Sequence, residues 1–212
     1  MNLDFSKSET SSFIEEAKEY KFPKIKKIRL DWLDKMSSSA IVDMNLFLKH
    51  SSPSAVQSLY MYGGEYTLMD TFKEGLENVL PAVTEQVYLF HFLLRESGIR
   101  TIIENSTNAT QLVLRGCKIG DLRQGFKLDP SREYSLESLD LYWTCRKQGS
   151  EYLTLDKLKV LAEAMSKTKI RLTLTSIHLC KGKVDENDVK SIFNTLGFKV
   201  DVQATYDSPG DS

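Results

Sequence analysis

The sequence predicts an α/β fold of one kind: a short solenoid, with parallel strands forming a curved sheet on the concave side and helices on the convex side, in about six to seven repeats. Three observations carry that expectation. An apolar-x-apolar triplet returns seven times, as Ile28-Arg29-Leu30, Leu59-Tyr60-Met61, Val87-Tyr88-Leu89, Leu112-Val113-Leu114, Leu139-Asp140-Leu141, Leu172-Thr173-Leu174 and Val200-Asp201-Val202, at steps of 25 to 33 residues. A unit of that length cannot bury its own apolar face and must stack on its neighbours. Between triplets the apolar residues switch to helical spacing. With 41% hydrophobic and 27% charged residues, the 212-residue chain can bury one substantial core and is too short to demand two.

Residues 1–24 form a leader whose Ser12-Phe13-Ile14-Glu15 has capping-box spacing, and Glu15 and Glu16 suit the positive end of a helix. A short helix from Ser12 to Tyr20, stopped by Pro23, is expected to cover the edge of the first repeat with Phe13, Ile14, Ala17 and Tyr20. The solenoid spans residues 25–206. Its first spacer carries Ile41, Met44, Phe47 and Leu48, and its second Leu68, Phe72, Leu76, Val79 and Leu80. Gly63-Gly64 reads as a turn after the second strand. The third spacer, around Gly98 to Glu104, is brief. The fourth, Leu122 to Ser135, contains Gly125 and Pro130 and reads as a loop or single turn. Helical stripes return at Leu158, Leu161, Ala162 and Met165, then at Val189, Ile192, Phe193 and Leu196, the latter opened by Asp185 as N-cap and closed by Gly197. Val200 to Tyr206 is the last strand, and residues 207–212 are a frayed tail. Seven strands with a cap suggest a complete array.

Two of the triplets sit in longer motifs. Leu112 to Asp121 reads LxLxxCxIxD, and Leu139 to Thr144 reads LxLxxT. These resemble the long, ribonuclease-inhibitor-like class of leucine-rich repeat, and Leu155 to Lys167 resembles the helix that class places between strands. The resemblance covers roughly residues 25 to 205. It implies that the fifth position after each first apolar residue bonds neighbouring loop backbones through Asn, Cys or Thr. That position holds Leu33, Gly64, Phe92, Cys117, Thr144, Ile177 and Thr205, of which three match, so the outer repeats rest on spacing and alternation.

Alternation within a strand decides what faces outward. With the first and third triplet residues in the core, the concave side receives Arg29 and Asp31, Tyr60 and Tyr62, Tyr88 and Phe90, Val113 and Arg115, Asp140 and Tyr142, Thr173 and Thr175, and Asp201 and Gln203. Tyr60 pairs with Tyr88 and Tyr62 with Phe90 across adjacent strands about 4.8 Å apart. Aromatic residues bordered by arginine have the composition of a binding hot spot, and Phe90, with no hydroxyl to hydrate, weighs most. Cross-strand aromatic pairs also stabilise a sheet by about 0.2–1 kcal/mol without any ligand. The candidate partner-binding residues are Tyr60, Tyr62, Tyr88 and Phe90 as anchors, Arg115 as a charged contact, and Asp140 and Tyr142 at the rim.

Other classes find less support. A net charge of -1 gives no general attraction to nucleic acid or an anionic membrane. The one dense basic stretch, Lys24-Ile25-Lys26-Lys27-Ile28-Arg29, reads as the charged edging of the first strand. No run approaches a membrane span, and the polar start lacks the apolar centre of a secretory signal, so an intracellular, most simply cytoplasmic, protein is expected. Cys117, Cys145 and Cys180 follow strands as buried reduced thiols. His50, His91 and His178 read as structural. There is no metal-ligand spacing, GxSxG elbow, phosphate loop, HExxH or dinucleotide fingerprint, so neither cofactor, metal nor catalytic residue is expected. The leading function is a non-enzymatic interaction module that binds a partner protein on its concave sheet. The alternative is a structural subunit of a multiprotein complex, held through convex helices or termini. Regulation of a small GTPase is implied only by the resemblance, and no F-box precedes the repeats.

Overall fold

The computed structural model describes residues 2–3, 25–31, 33, 36–51, 56–120, 122–142, 154–180 and 185–205. The expected helix at Ser12 to Tyr20, the tail at 207–212, and Thr144 and Cys145 lie outside them. The elements run β1 (Asn2–Leu3), β2 (Ile25–Leu30), α1 (Ser38–Ser51), β3 (Val56–Leu68), α2 (Lys73–Val79) between 3-10 turns at Met69–Phe72 and Leu80–Ala82, β4 (Val83–Leu94), α3 (Glu96–Asn105), β5 (Gln111–Arg115), β6 (Lys118–Ile119), β7 (Ser138–Tyr142), α4 (Leu155–Ser166), β8 (Leu174–Cys180), α5 (Glu186–Thr195) and β9 (Val200–Thr205).

Among the described residues the strands form one nine-stranded sheet in chain order, except that the two-residue β6 pairs with the far end of β4. Every pair is parallel. Parallel neighbours require a crossover, and the helices among the described residues pack into one core on one face of the sheet. Met44 and Phe47 of α1, Leu76 and Val79 of α2, Ile99 and Ile102 of α3, Leu158 and Leu161 of α4, and Val189 and Phe193 of α5 join a single core with the inward strand residues. The opposite face of the sheet carries no helix among the described residues. β1 is an addition to the expected strands: Asn2 pairs with Arg29 and Leu3 with Leu30, so the second and third residues of the leader belong to the sheet.

Successive units are tied by side chains as well as by the ladder. Thr84 Oγ1 donates to the Val56 carbonyl (3.3 Å), Thr110 Oγ1 to Glu85 (3.0 Å) and Thr173 Oγ1 to Glu137 (3.1 Å), each reaching back one unit at the start of a strand. Between α1 and α2, Asn45 donates to the Thr71 carbonyl and accepts from the Gly75 N–H, both at 3.1 Å. The helix ends follow the sequence: Asp185 accepts from the Asn187 N–H at 2.7 Å, Thr154 from the Lys157 N–H at 3.3 Å, and Gly197 takes the left-handed conformation (φ +83°) that closes α5.

The third spacer is short yet helical, as α3. The fourth contains no helix. In its place Phe126, Leu128 and Leu136 plug the core while Arg132 Nη1 donates to the Glu104 carbonyl at 2.6 Å and Asp129 N–H to Glu104 Oε1 at 2.9 Å. The loop thereby satisfies carbonyl and carboxylate oxygens at the C-terminal end of α3, work that a following helix turn leaves undone.

Two expectations are corrected. The sixth triplet is not Leu172-Thr173-Leu174. In β8, Thr175 pairs with Leu139 and Ile177 with Leu141, so Thr175-Ser176-Ile177 is the inward-outward-inward unit and Leu174 is 40% exposed. Thr175 is completely buried. Threonine has the branched shape of valine, and here it fills a valine-shaped position at the cost of an unpartnered Oγ1. Thr175 therefore does not face the open side; Ser176 and His178 do. Nor do Gly63 and Gly64 form a turn after the strand. They lie within β3, where the segment from Tyr62 to Thr67 runs against only Phe90 to Phe92 of β4. A Cβ on Gly63 would stand 2.9 Å from the His91 carbonyl oxygen and 3.1 Å from the Phe92 ring, so only glycine allows this bulged strand to close on its neighbour. Opposite it, His91 takes a positive φ of 58°.

Candidate functional site

The helix-free face is organised in three rows running across the strands, each fixed by the parallel register. The outer row is Lys27, Ser58, Gln86, Gln111, Ser138 and Leu174. The middle row is Arg29, Tyr60, Tyr88, Val113, Asp140, Ser176 and Asp201. The third continues from Tyr62 through Phe90, Arg115, Tyr142 and His178 to Gln203. Parallel strands in this register place corresponding positions side by side, which is why chemically similar residues some 25 to 36 positions apart in sequence become neighbours here.

The aromatic pairs form as the alternation predicts. Tyr60 stacks on Tyr88 with ring centroids 4.7 Å apart and planes 7° from parallel, and Tyr62 on Phe90 at 4.4 Å and 7°. Tyr88 and Phe90 stand 5.6 Å apart along one strand. These separations match the strand spacing, so the rings stand like plates with faces toward one another and edges toward solvent. The outer face of the stack is covered by cations: Lys27 Nζ lies 4.0 Å from the Tyr60 centroid and the Arg29 guanidinium 4.7 Å from that of Tyr62. Arg29 Nε also donates to both Asp31 oxygens, at 3.0 and 2.9 Å.

Arg115 follows Phe90 in the third row. Its guanidinium sits 5.7 Å from the Tyr142 ring centroid and, among the described residues, makes no hydrogen bond or ion pair. Tyr142 in turn stacks on His178 at 4.0 Å and 13°. His178, read from the sequence as a structural histidine near a turn, thus belongs to this face; the misplaced sixth triplet hid it, and treating Thr175 as a valine-like core residue would have revealed it. Burial holds the imidazole pKa below its ordinary value, opposed by Asp140 and Asp201. Burial likewise pushes the Tyr88 phenol up, with Tyr60, Asp140 and Tyr142 adding to the effect, so Tyr88 remains a neutral hydroxyl.

A polar chain underlies the aromatic rows. Tyr60 OH donates to Gln86 Oε1 at 3.0 Å, Gln86 Nε2 to Gln111 Oε1, and Gln111 Nε2 to Asp140 Oδ2 at 2.5 Å; Ser138 Oγ lies 3.5 Å from the other Asp140 oxygen. Asp140, expected at the rim, is instead 7% exposed with its carboxylate already engaged. Val113 beside it is 2% exposed although it points away from the helices, because Tyr88 and Asp140 close over it from both sides. Phe90 is half-buried between its neighbours rather than fully exposed. The glutamines of the outer row carried no signal in the sequence, since a lone Gln before a strand triplet has no distinguishing pattern.

Cys117 is buried on the other side. Its thiol donates to the Leu89 carbonyl of the preceding unit (3.4 Å), and burial pushes its pKa up to about 12. Among the described residues, no cluster of three or more His, Cys, Asp or Glu side chains is placed to hold a metal ion, and no helix is long and apolar enough to cross a membrane. No family model, curated protein or solved structure matches this chain.

Proposed function

We propose that the chain is a short leucine-rich-repeat solenoid of the ribonuclease-inhibitor-like class that works as a non-enzymatic interaction module, docking a partner protein on the open face of its sheet. The observation that carries the docking reading is the continuous row of side chains from Tyr62 through Phe90, Arg115 and Tyr142 to His178, held in place by ladder register and stacking rather than by their own flexible rotors. Such a surface has lost most of its conformational freedom before a partner arrives, which reduces the ordering cost of association. Aromatic and arginine side chains at the centre of a rigid patch are the composition from which binding energy is drawn.

Three features support the repeat class. Strands follow one another in chain order, threonines tie each unit back to the one before, and the Cys117 thiol reaches the preceding backbone from the fifth position of its motif. The corrected register adds a fourth. Counting from Thr175 and Val200, the fifth positions are Cys180 and Thr205, which are paired across β8 and β9. With Cys117 and Thr144, the last four units then hold Cys, Thr, Cys and Thr there.

The test is recovery of partners by the tagged full chain from native cells, beside a variant carrying Tyr60→Ala, Tyr88→Ala and Phe90→Ala, with circular dichroism showing that both fold. A specific partner lost only by the variant supports docking on the open face. Unchanged recovery removes that face and leaves the structural-subunit reading, in which helices or termini make the contacts.

A further inference from the structure

The middle of the open face is rich in hydrogen-bond donors that have no acceptor within the protein. Arg115 is exposed, lies between Phe90 and Tyr142 in the third row, and carries five guanidinium N–H groups with no carboxylate or carbonyl partner among the described residues. Arg29, on β2, differs: it shares its Nε with both oxygens of Asp31. Asp140, the carboxylate nearest in the row beside Arg115, is buried and already accepts from Gln111. The hydroxyls of Tyr62, Tyr88 and Tyr142 likewise have no partner among the described residues, whereas that of Tyr60 is spent on Gln86.

The orientation of the rings points the same way. Because Tyr60, Tyr88, Tyr62 and Phe90 present faces to one another and edges to solvent, the electropositive rims of the rings line the docking surface. The inner faces of the two stacked pairs, on which a nucleobase would stack, are occupied by the neighbouring ring, and Lys27 and Arg29 lie over the rings of Tyr60 and Tyr62. A surface of aromatic edges and one uncompensated guanidinium, flanked by apolar ring area, is complementary to an anion carried between apolar groups.

On the docking reading proposed above, we infer that the open face recognises a segment of a partner protein that presents an Asp or Glu carboxylate to Arg115, with apolar side chains on either side of that acid lying against Phe90 and Tyr142. The guanidinium fork takes a carboxylate through two parallel N–H···O bonds, and the rings on each side exclude water from that pair.

The experiment is selection of a displayed library of random dodecapeptides on the full chain, followed by titration of the enriched peptides against the wild type, Arg115→Gln, Arg115→Glu and Tyr88→Ala, with thermal melts showing that each variant remains folded. Enriched peptides are expected to share an acidic residue flanked by apolar ones. Changing that acid to its amide is expected to weaken binding at least tenfold, Arg115→Gln to abolish the preference for acid over amide, and Arg115→Glu to abolish binding. Peptides that lack an acid, or that bind Arg115→Glu as well as the wild type, while still requiring Tyr88, overturn the carboxylate assignment and leave the docking face standing. Binders indifferent to both Tyr88 and Arg115, or no binders at all, overturn the assignment and the docking face together. Displacement of enriched peptides by a single-stranded oligonucleotide at lower concentration than by free peptide overturns the assignment in favour of nucleic acid.

Discussion

The two faces of the same strands are built on opposite principles. On the helix-packed face, residues such as Leu59, Val87, Leu89 and Phe92 are buried to within 1% exposure and meet side chains from helices distant in sequence; Phe92, for instance, meets Phe72 edge-on with centroids 6.2 Å apart. On the open face, no second layer is present among the described residues, and order comes sideways, from each strand to the next. Stacked pairs, cation–π contacts and the Tyr60–Gln86–Gln111–Asp140 chain all run parallel to the sheet surface. Covering by a layer stabilises a fold; lateral ordering leaves outward edges and donors free for something else. The difference between the faces is therefore between where the molecule spends its apolar area and where it keeps chemistry available.

Substitutions on neighbouring positions of β4 separate the two. Phe92→Ala, on the helix side, is expected to lower stability by about 3–5 kcal/mol, read from chemical denaturation, because it opens a cavity in a close-packed core. A loss below about 1 kcal/mol would show that this face is less tightly packed than its burial implies. The core also sets an alkaline limit. The Cys117 thiol, raised to about 12, stays neutral in the folded chain while an exposed thiol ionises near its ordinary 9.0. The unfolded state thus holds fewer protons between those values. The contribution of Cys117 is whole below pH 9 and falls, by at most about 1.4 kcal/mol per pH unit, until about pH 12. Denaturation of the wild type and Cys117→Ala across that window is expected to show a shallower alkaline decline in the variant.

Tyr88→Ala, on the open side, reverses the pattern. It is expected to leave stability within about 1 kcal/mol, since it removes lateral stacking and part of the cover over Val113 but no contact with the helix-packed core, and to weaken partner binding by about 2 kcal/mol. A titration showing equal affinity for variant and wild type, with a large fall in melting temperature, would mean that the aromatic rows serve the fold and not a partner. The smallest effect is a gain. Thr175→Val keeps the shape of a fully buried side chain and removes its unpartnered hydroxyl, so stability is expected to rise by about 1 kcal/mol in denaturant titration. A loss instead would mean that the hydroxyl has an acceptor, and that β8 is seated differently from its neighbours.

Much of the layered arrangement was legible from residue order. Alternating apolar residues specify a strand and the face it buries, and Asp185 and Gly197 mark helix ends by chemistry that acts within a few residues. The stacked pairs followed directly, because equal spacing of Leu59-Tyr60-Met61 and Val87-Tyr88-Leu89 puts Tyr60 beside Tyr88 once the strands are parallel. The same logic failed at β8, where a threonine doing a valine's work shifted the apparent triplet by three residues and kept His178 out of view. It failed at Gly63 and Gly64 as well, since a bulge inside a strand and a turn after it call for the same residue.

The sequence by itself determined the parallel α/β arrangement, the inward residues of most strands and helices, and the Tyr60–Tyr88 and Tyr62–Phe90 pairs on the open face, because period and hydrophobicity act locally. Tertiary structure alone decided which charges on that face are spent and which remain. Arg29 meets Asp31 and Asp140 meets Gln111, while Arg115, among the described residues, meets the Tyr142 ring and no carboxylate, since hydrogen bonding depends on distances of a few tenths of an ångström between strands that no residue pattern encodes.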